Sequence, residues 1–195
     1  MRALVVYSHP CPESYNAAVR DQVIAALKKS GYKVRLLDLY AVGFDPVMSA
    51  HERRAYHDEG INEAPVADHL DHLFWCDTLV FVYPTWWFGL PAMLKGWVER
   101  IFVPHRTFRI PTKTETMEGR VKHVRRIAVI TTCGATWWLS KVIGEPGRKT
   151  LLRGIRALCH PRCKTLYMAH YKMDSSTPES RTAYLQRVER RLAKF

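Results

Sequence analysis

No stretch of this 195-residue sequence holds an apolar run near the roughly 20 residues that span a bilayer. Glycine is missing where phosphate-binding loops need it. Ser8-His9-Pro10-Cys11-Pro12-Glu13-Ser14, which follows the first apolar run, contains none, and this excludes a Walker loop or a dinucleotide-binding glycine fingerprint there. The opening apolar segment, Ala3-Leu4-Val5-Val6-Tyr7, is too short and too soon followed by polar residues for a secretory leader, so the expected compartment is the cytoplasm. Cysteine is sparse, with five residues, an odd and scattered set that argues against a disulfide framework. Cys159-His160-Pro161-Arg162-Cys163 has half of a metal-ligand pattern, but no second Cys/His pair stands at ligand spacing, and no metal is expected. Acidic residues thin out along the chain. Residues 1–99 hold 12 Asp/Glu against 9 Lys/Arg, whereas residues 100–195 hold 6 against 21. An imbalance of that size favours an anionic partner such as a phosphorylated cofactor, a membrane surface or a nucleic acid. With no helix-turn-helix, zinc or RNA-binding motif present, a nucleic-acid partner is not expected, and membrane association is compatible with the basic half without being required.

Hydrophobic residues make up 47% of the chain, the normal globular range, and residues 1–195 read as one domain. Short apolar runs alternate with helical patterns, as in βαβ units on a parallel sheet. Strands are expected over 3–8, 33–39, 78–83, 125–131 and 164–170. Helices are expected over 14–29, 66–75, 90–102, 149–159 and 178–192, with a short one near 51–57. Residues 103–123 read as a long loop. Five strands alternating with helices predict a doubly wound α/β three-layer sandwich with a five-stranded parallel sheet, whose ligands sit at the carboxyl ends of the strands.

Three of those ends carry chemistry. After the first strand, Ser14 is a natural N-cap, and the free N–H groups of the following helix make an anion site beside His9. After the third, Trp86, Trp87 and Phe88 stand between Pro84 and Gly89, and three consecutive aromatics in a turn cannot all face inward. Such aromatic walls suit planar rings, although a dimer patch has the same look. After the fourth, Thr131-Thr132-Cys133-Gly134 offers small residues and successive N–H groups able to stabilise an anion, and a second pair, Trp137-Trp138, follows. Phosphate-type, aromatic and amide-type loops on one sheet edge together make a coherent flavin site.

These segments resemble the flavodoxin-like NAD(P)H dehydrogenase (quinone) family, the DT-diaphorase type and its shorter bacterial relatives. The resemblance covers most of the chain. It rests on Ser8-His9 with Ser14-Tyr15-Asn16-Ala17, on Asp38-Leu39-Tyr40 before Phe44-Asp45-Pro46, on the block Pro84 to Phe102, and on Thr131 to Gly134. It implies a flavodoxin-like fold and a bound flavin, FAD or FMN, with NADPH or NADH as hydride donor and quinones or similar small molecules as acceptors. Turnover would proceed in two-electron ping-pong steps. His9, Ser14, Tyr15 and Asn16 would hold the phosphate end. Pro84, Thr85, Trp86, Trp87 and Phe88 would hold the ribityl chain and one edge of the isoalloxazine, and Thr131, Thr132, Cys133 and Gly134 its pyrimidine side. A homodimer is implied as well. Cys133 stands where the family often has a glycine, and the Tyr and His that assist the mammalian enzymes have no match after Gly134, where the chain offers Trp137, Trp138 and Glu145. No catalytic side chain is therefore assigned. The alternatives are a flavodoxin-type electron carrier or a regulatory flavoprotein subunit of a membrane transporter.

Overall fold

The fold was taken from a computed structural model, which describes residues 1–112 and 116–195. In chain order the elements are β1 (Arg2–Tyr7), α1 (Tyr15–Lys29), β2 (Lys33–Asp38), α2 (Ala50–Arg54), α3 (Ala67–Trp75), β3 (Thr78–Thr85), α4 (Ala92–Ile101), β4 (Phe108–Arg109), β5 (Glu118–Gly119), β6 (Arg126–Cys133), α5 (Trp137–Ile143), α6 (Pro146–Lys149), β7 (Lys164–His170) and α7 (Pro178–Leu192). Five strands form a parallel sheet in the order β2-β1-β3-β6-β7, and β4 and β5 pair as a small antiparallel ribbon.

Strand alternation divides the core in two. Leu4 and Val6 of β1, Leu79 and Phe81 of β3, and Ile127 and Val129 of β6 point to one face, where α3, α4 and the segment 151–158 cover them. Ala3, Val5 and Tyr7, Val80 and Val82, and Ala128 and Ile130 point to the other, under α1 and α7. Both faces of the central strands are buried, which explains why they read as unbroken apolar runs. Helix α1 starts where Ser14 accepts from the Ala17 N–H at 3.2 Å. It stops where Gly31, at φ 78°, takes the left-handed conformation that releases the chain into β2.

Three expectations change. Residues 137–143, to which the sequence reading assigns no element, form α5, which begins at the N-cap Thr136 and ends at Gly144 (φ 91°). Only Ser140 of that helix is buried, so it lacks the amphipathic pattern by which a helix is usually recognised. The helix expected over 149–159 is instead α6 followed by a wide π turn (Thr150–Gly154) and a tight 3-10 turn (Ile155–Leu158), the change falling at Gly154. The expected loop 103–123 carries the β4–β5 ribbon, and its residues 113–115 lie outside the described residues.

Close packing also sets the position of α4. A Cβ on Gly96 would lie 2.1 Å from the main-chain oxygen of Pro46. Alanine is the better helix former by about 1 kcal/mol, but a backbone carbonyl cannot yield to it. Gly96→Ala is therefore expected to destabilise the protein by about 1–3 kcal/mol, read as a lower urea midpoint at unchanged slope. A gain in stability would show that the loop at Pro46 gives way.

Candidate active site

Strand order reverses direction at β1, because the chain runs from β1 outward to β2 and then crosses back to β3. Such a switch point opens a crevice beyond the carboxyl ends of β1 and β3. A cleft of about 740 Å³ lies there. Of the residues singled out in the sequence, His9, Ser14, Tyr15 and Asn16 line it from the β1 end, Pro84 through Phe88 from the β3 end, and Thr132, Cys133 and Gly134 from the β6 end. Thr131 is the exception, since it is fully buried beneath the cleft. Its hydroxyl donates to the Tyr83 carbonyl at 2.7 Å and so accepts from the Thr85 hydroxyl at 2.9 Å, which locks the ends of β3 and β6 together.

At the β1 end, helix geometry leaves the main-chain N–H groups of Tyr15 and Asn16 without an intrahelical acceptor. His9 Nδ1 accepts from the Cys11 N–H at 3.0 Å, so the neutral ring carries its proton on Nε2. Burial pushes the His9 pKa down and keeps the ring neutral at pH 7. The Tyr15 hydroxyl donates to the Arg181 carbonyl at 2.7 Å, and burial raises its pKa to about 12. Tyr15 therefore offers the cleft its ring, while the hydroxyl is spent on α7. Asn16 is 3% exposed; its Nδ2 donates to Thr132 Oγ1 at 3.3 Å, and its Oδ1 has no partner.

The aromatic wall is a tight turn. The Gly89 N–H donates to the Trp86 carbonyl at 2.9 Å, and the two residues between, Trp87 and Phe88, have φ of 48° and 60°. Bulky side chains in that region cost of order 1–3 kcal/mol each, so the surroundings must hold the turn in place. Gly147 of α6 supplies the seat: a Cβ there would lie 3.1 Å from the carbonyl carbon of Gly89. Trp87 is 95% exposed.

Three further residues line the cleft that the sequence reading missed: Ala135, Met173 and Asp174. Met173 and Asp174 follow β7, the one strand of this end of the sheet whose following loop carries no recognisable motif. The position of that loop at a strand end was the available signal. Asp174 packs against Gly134, where a Cβ would lie 2.4 Å from Oδ2. The lining holds no lysine or arginine among the described residues, and Asp174 is its only carboxylate.

The model for proteins of the flavodoxin-like fold matches residues 1–192. The chain belongs to that family. It is 31% identical over 150 residues to NAD(P)H dehydrogenase [quinone] 1 of Rattus norvegicus, a match covering 69% of this chain and 54% of the rat protein. It is 33% identical over 102 residues to the uncharacterized NAD(P)H oxidoreductase YcaK of Escherichia coli (strain K12), covering 52% of each. The chain thus spans about half the length of the curated relatives it matches. Among solved structures, Smu.1420 of Streptococcus mutans UA159 superposes with a TM-score of 0.84 at 29% identity over 100% of both chains. An FMN-dependent NADH-azoreductase of Bacillus anthracis, solved with FMN, shares the fold at a TM-score of 0.78 and 20% identity, covering 99% of this chain and 98% of that one.

In this flavodoxin-like chain the wall of the cleft is braced from behind by Glu145. It is 7% exposed and sits at φ 49° between α5 and α6. Its Oε2 accepts from Lys141 Nζ at 2.6 Å and Arg148 Nη1 at 2.7 Å, and its Oε1 from the Tyr171 hydroxyl at 2.8 Å. Burial by itself raises the carboxyl pKa, but the three donors outweigh it and hold the group below the usual carboxylate range. A lowered native pKa contributes stability above the unfolded value of about 4.3, and that contribution disappears as pH falls through the native value. Glu145→Gln is therefore expected to cost about 1–3 kcal/mol at pH 7 and to flatten the acid limb of the stability–pH curve. Melts from pH 3 to 7 check it, and parallel curves for the two proteins would contradict it.

Proposed function

We propose that the chain is a flavin-dependent oxidoreductase that passes hydride from NADPH or NADH to quinones or similar flat acceptors. The observation that carries the reading is the convergence of three strand-end loops, one capped, one aromatic and one small-residue, on a single cleft of about 740 Å³. The rat relative is named a quinone dehydrogenase and the E. coli relative an NAD(P)H oxidoreductase, which supports the activity class.

The residues present fit a flavin. Asn16 Oδ1, buried and unpartnered, is an acceptor at the cleft floor that a hydroxyl or N–H donor would satisfy. Tyr15 and Asn16 N–H groups, with the His9 Nε2–H, would hold a phosphate without any cation. Trp86, Trp87 and Phe88 would flank the ring system, and the backbone at Thr132, Cys133 and Gly134, kept small at Gly134, would lie along its polar edge. Asp174 would accept from sugar or ribityl hydroxyls. When bound, FAD or FMN supplies the hydride-accepting and hydride-donating chemistry.

The chain's own task is positioning and electrostatics. Fixed N–H donors near Gly134 favour negative charge at the cleft's polar edge, worth roughly 3 kcal/mol for one good donor. One aromatic-walled slot admits a flat donor and then a flat acceptor in turn, so initial rates should give parallel double-reciprocal lines. The purified protein should bind FAD or FMN with fluorescence quenching, and NADPH or NADH should bleach the visible absorption. Asn16→Asp, which turns the Nδ2 donor to Thr132 into an acceptor and buries a negative charge beside the phosphate end, should weaken binding by about tenfold or more. Saturating flavin without quenching would refute the reading. Bound flavin that NAD(P)H fails to bleach would move the protein to the electron-carrier class.

A homodimer and a reducing, cytoplasmic setting complete the proposal. All five cysteines are free, which fits the setting. The dimer is supported by α5, where Trp138 (66% exposed), Val142 (63%) and Ile143 (45%) share an apolar face next to the cleft wall. Val142→Glu should shift sedimentation at micromolar protein from dimer to monomer. A wild-type protein sedimenting as a monomer there would rule the dimer out.

A further inference from the structure

One lateral edge of the sheet is the strand β7, whose one neighbour in the sheet is β6. The Lys164 N–H donates to the Arg125 carbonyl at 3.0 Å, so this residue faces the β6 side. Strand alternation then turns the N–H and C=O groups of Thr165, Tyr167 and Ala169 outward. Among the described residues, these outward groups take a single long bond, 3.5 Å from Arg187 Nη2 to the Ala169 carbonyl.

Three depressions of about 580, 500 and 190 Å³ run along this edge. The first and second share Ala169, Tyr171 and Arg187, and the second and third share Arg148, Leu152 and Thr165. They form one groove beside a strand that spans roughly 23 Å. Its two banks are basic. Arg187, Arg190 and Arg191 stand on the α7 side, and Lys141, Arg148, Lys149 and Arg153 on the other. The lining carboxylate is Glu145, buried and already holding Lys141 and Arg148. Lys149, Arg153, Arg187, Arg190 and Arg191 form no ion pair with another described residue.

We propose that the β7 edge is a docking groove for an extended acidic segment of a partner protein, which adds to the sheet as a sixth strand. Charge selects the sign of the occupant, and the backbone selects its kind. The N–H and C=O groups of Thr165, Tyr167 and Ala169 alternate at the spacing of another strand's backbone, which a phosphodiester chain cannot match with donors and acceptors both. A flat lipid headgroup layer does not reach a recessed strand backbone. A second copy of this chain would bring two basic edges together and be repelled. Successive side chains of an added strand point to alternate banks, so carboxylates on either face of it meet a cation. Cations beside an edge also deter aggregation, and if that were their whole role no strand would bind.

The test uses the full chain and a fluorescein-labelled peptide of alternating Glu and Val, followed by anisotropy at ~0.1 M salt and by amide hydrogen exchange. Expected are binding by the Glu peptide, binding about tenfold or more weaker with Gln in place of Glu, and slowed exchange at Thr165, Tyr167 and Ala169. The double variant Arg190→Glu/Arg191→Glu alters exposed side chains and should lose binding with an unchanged melt. Thr165→Pro removes one outward N–H while sparing the β6 ladder and should weaken binding as well. Absence of peptide binding, binding without protection of the three amides, or equal binding by an oligothymidylate or by phosphatidylserine vesicles would overturn the proposal. No flavin or NAD(P)H enters the measurement, so its failure leaves the oxidoreductase reading standing.

Discussion

Because the five strands of the sheet run parallel, their carboxyl ends share one edge, and every loop able to form a site is delivered to the same place. The cleft depends on how firmly those ends are held. The Ser8 N–H donates to the Val82 carbonyl at 3.1 Å, tying the β1 loop to β3. The hydroxyl chain from Thr85 through Thr131 to the Tyr83 carbonyl ties β3 to β6. Pro84 ends the bonding of β3 on its β1 side, because it stands two residues after Val82 and brings no N–H there. On the β6 side of the same strand end, side-chain hydroxyls add to the backbone rungs. Thr131 serves the site from behind, without touching the cleft.

The strained turn at Trp87 and Phe88 shows how stability and function are balanced. Two bulky residues at positive φ persist only where the neighbourhood overdetermines them. Here Gly147 lies against Gly89, and Gly147 stands two residues after Glu145, whose carboxylate gathers Lys141 from α5, Arg148 from α6 and Tyr171 from beyond β7. One buried carboxylate therefore links three segments that stand behind the aromatic wall.

What could be read from residue order follows from the same physics. The strands were legible because double-sided burial writes them as β-branched and apolar runs, and Ser14 marks a helix start by local chemistry that needs no tertiary partner. Twelve of the thirteen singled-out site residues reach the cleft because they sit at strand ends. Helix α5 was illegible since its apolar side faces outward and gives no core periodicity. Asp174 was illegible for a different reason: its place beside Gly134 depends on the chain returning from β7, a contact 40 residues long that no local pattern encodes. Glu145 could be named as a residue but not as a brace: Lys141 and Arg148 stand within four residues of it, but its burial and the bond from Tyr171, 26 residues on, come from the tertiary fold.

Charge is distributed across the molecule in a way that separates two tasks. The cleft lining is neutral apart from Asp174, so a phosphate group there would be held by N–H dipoles in fixed positions, which favour one geometry. The excess of lysine and arginine in the second half of the chain lies elsewhere, much of it beside β7 and on α7. Those cations are exposed and act over about a Debye length, roughly 8–10 Å, with little directional preference. Under the proposed function, long-range attraction of anions and short-range recognition of a flat ligand would be carried by different residues. On that reading a change in the basic edge would alter how anionic molecules approach, and a change at Asn16, Gly134 or the Trp86–Gly89 turn would alter which of them fits.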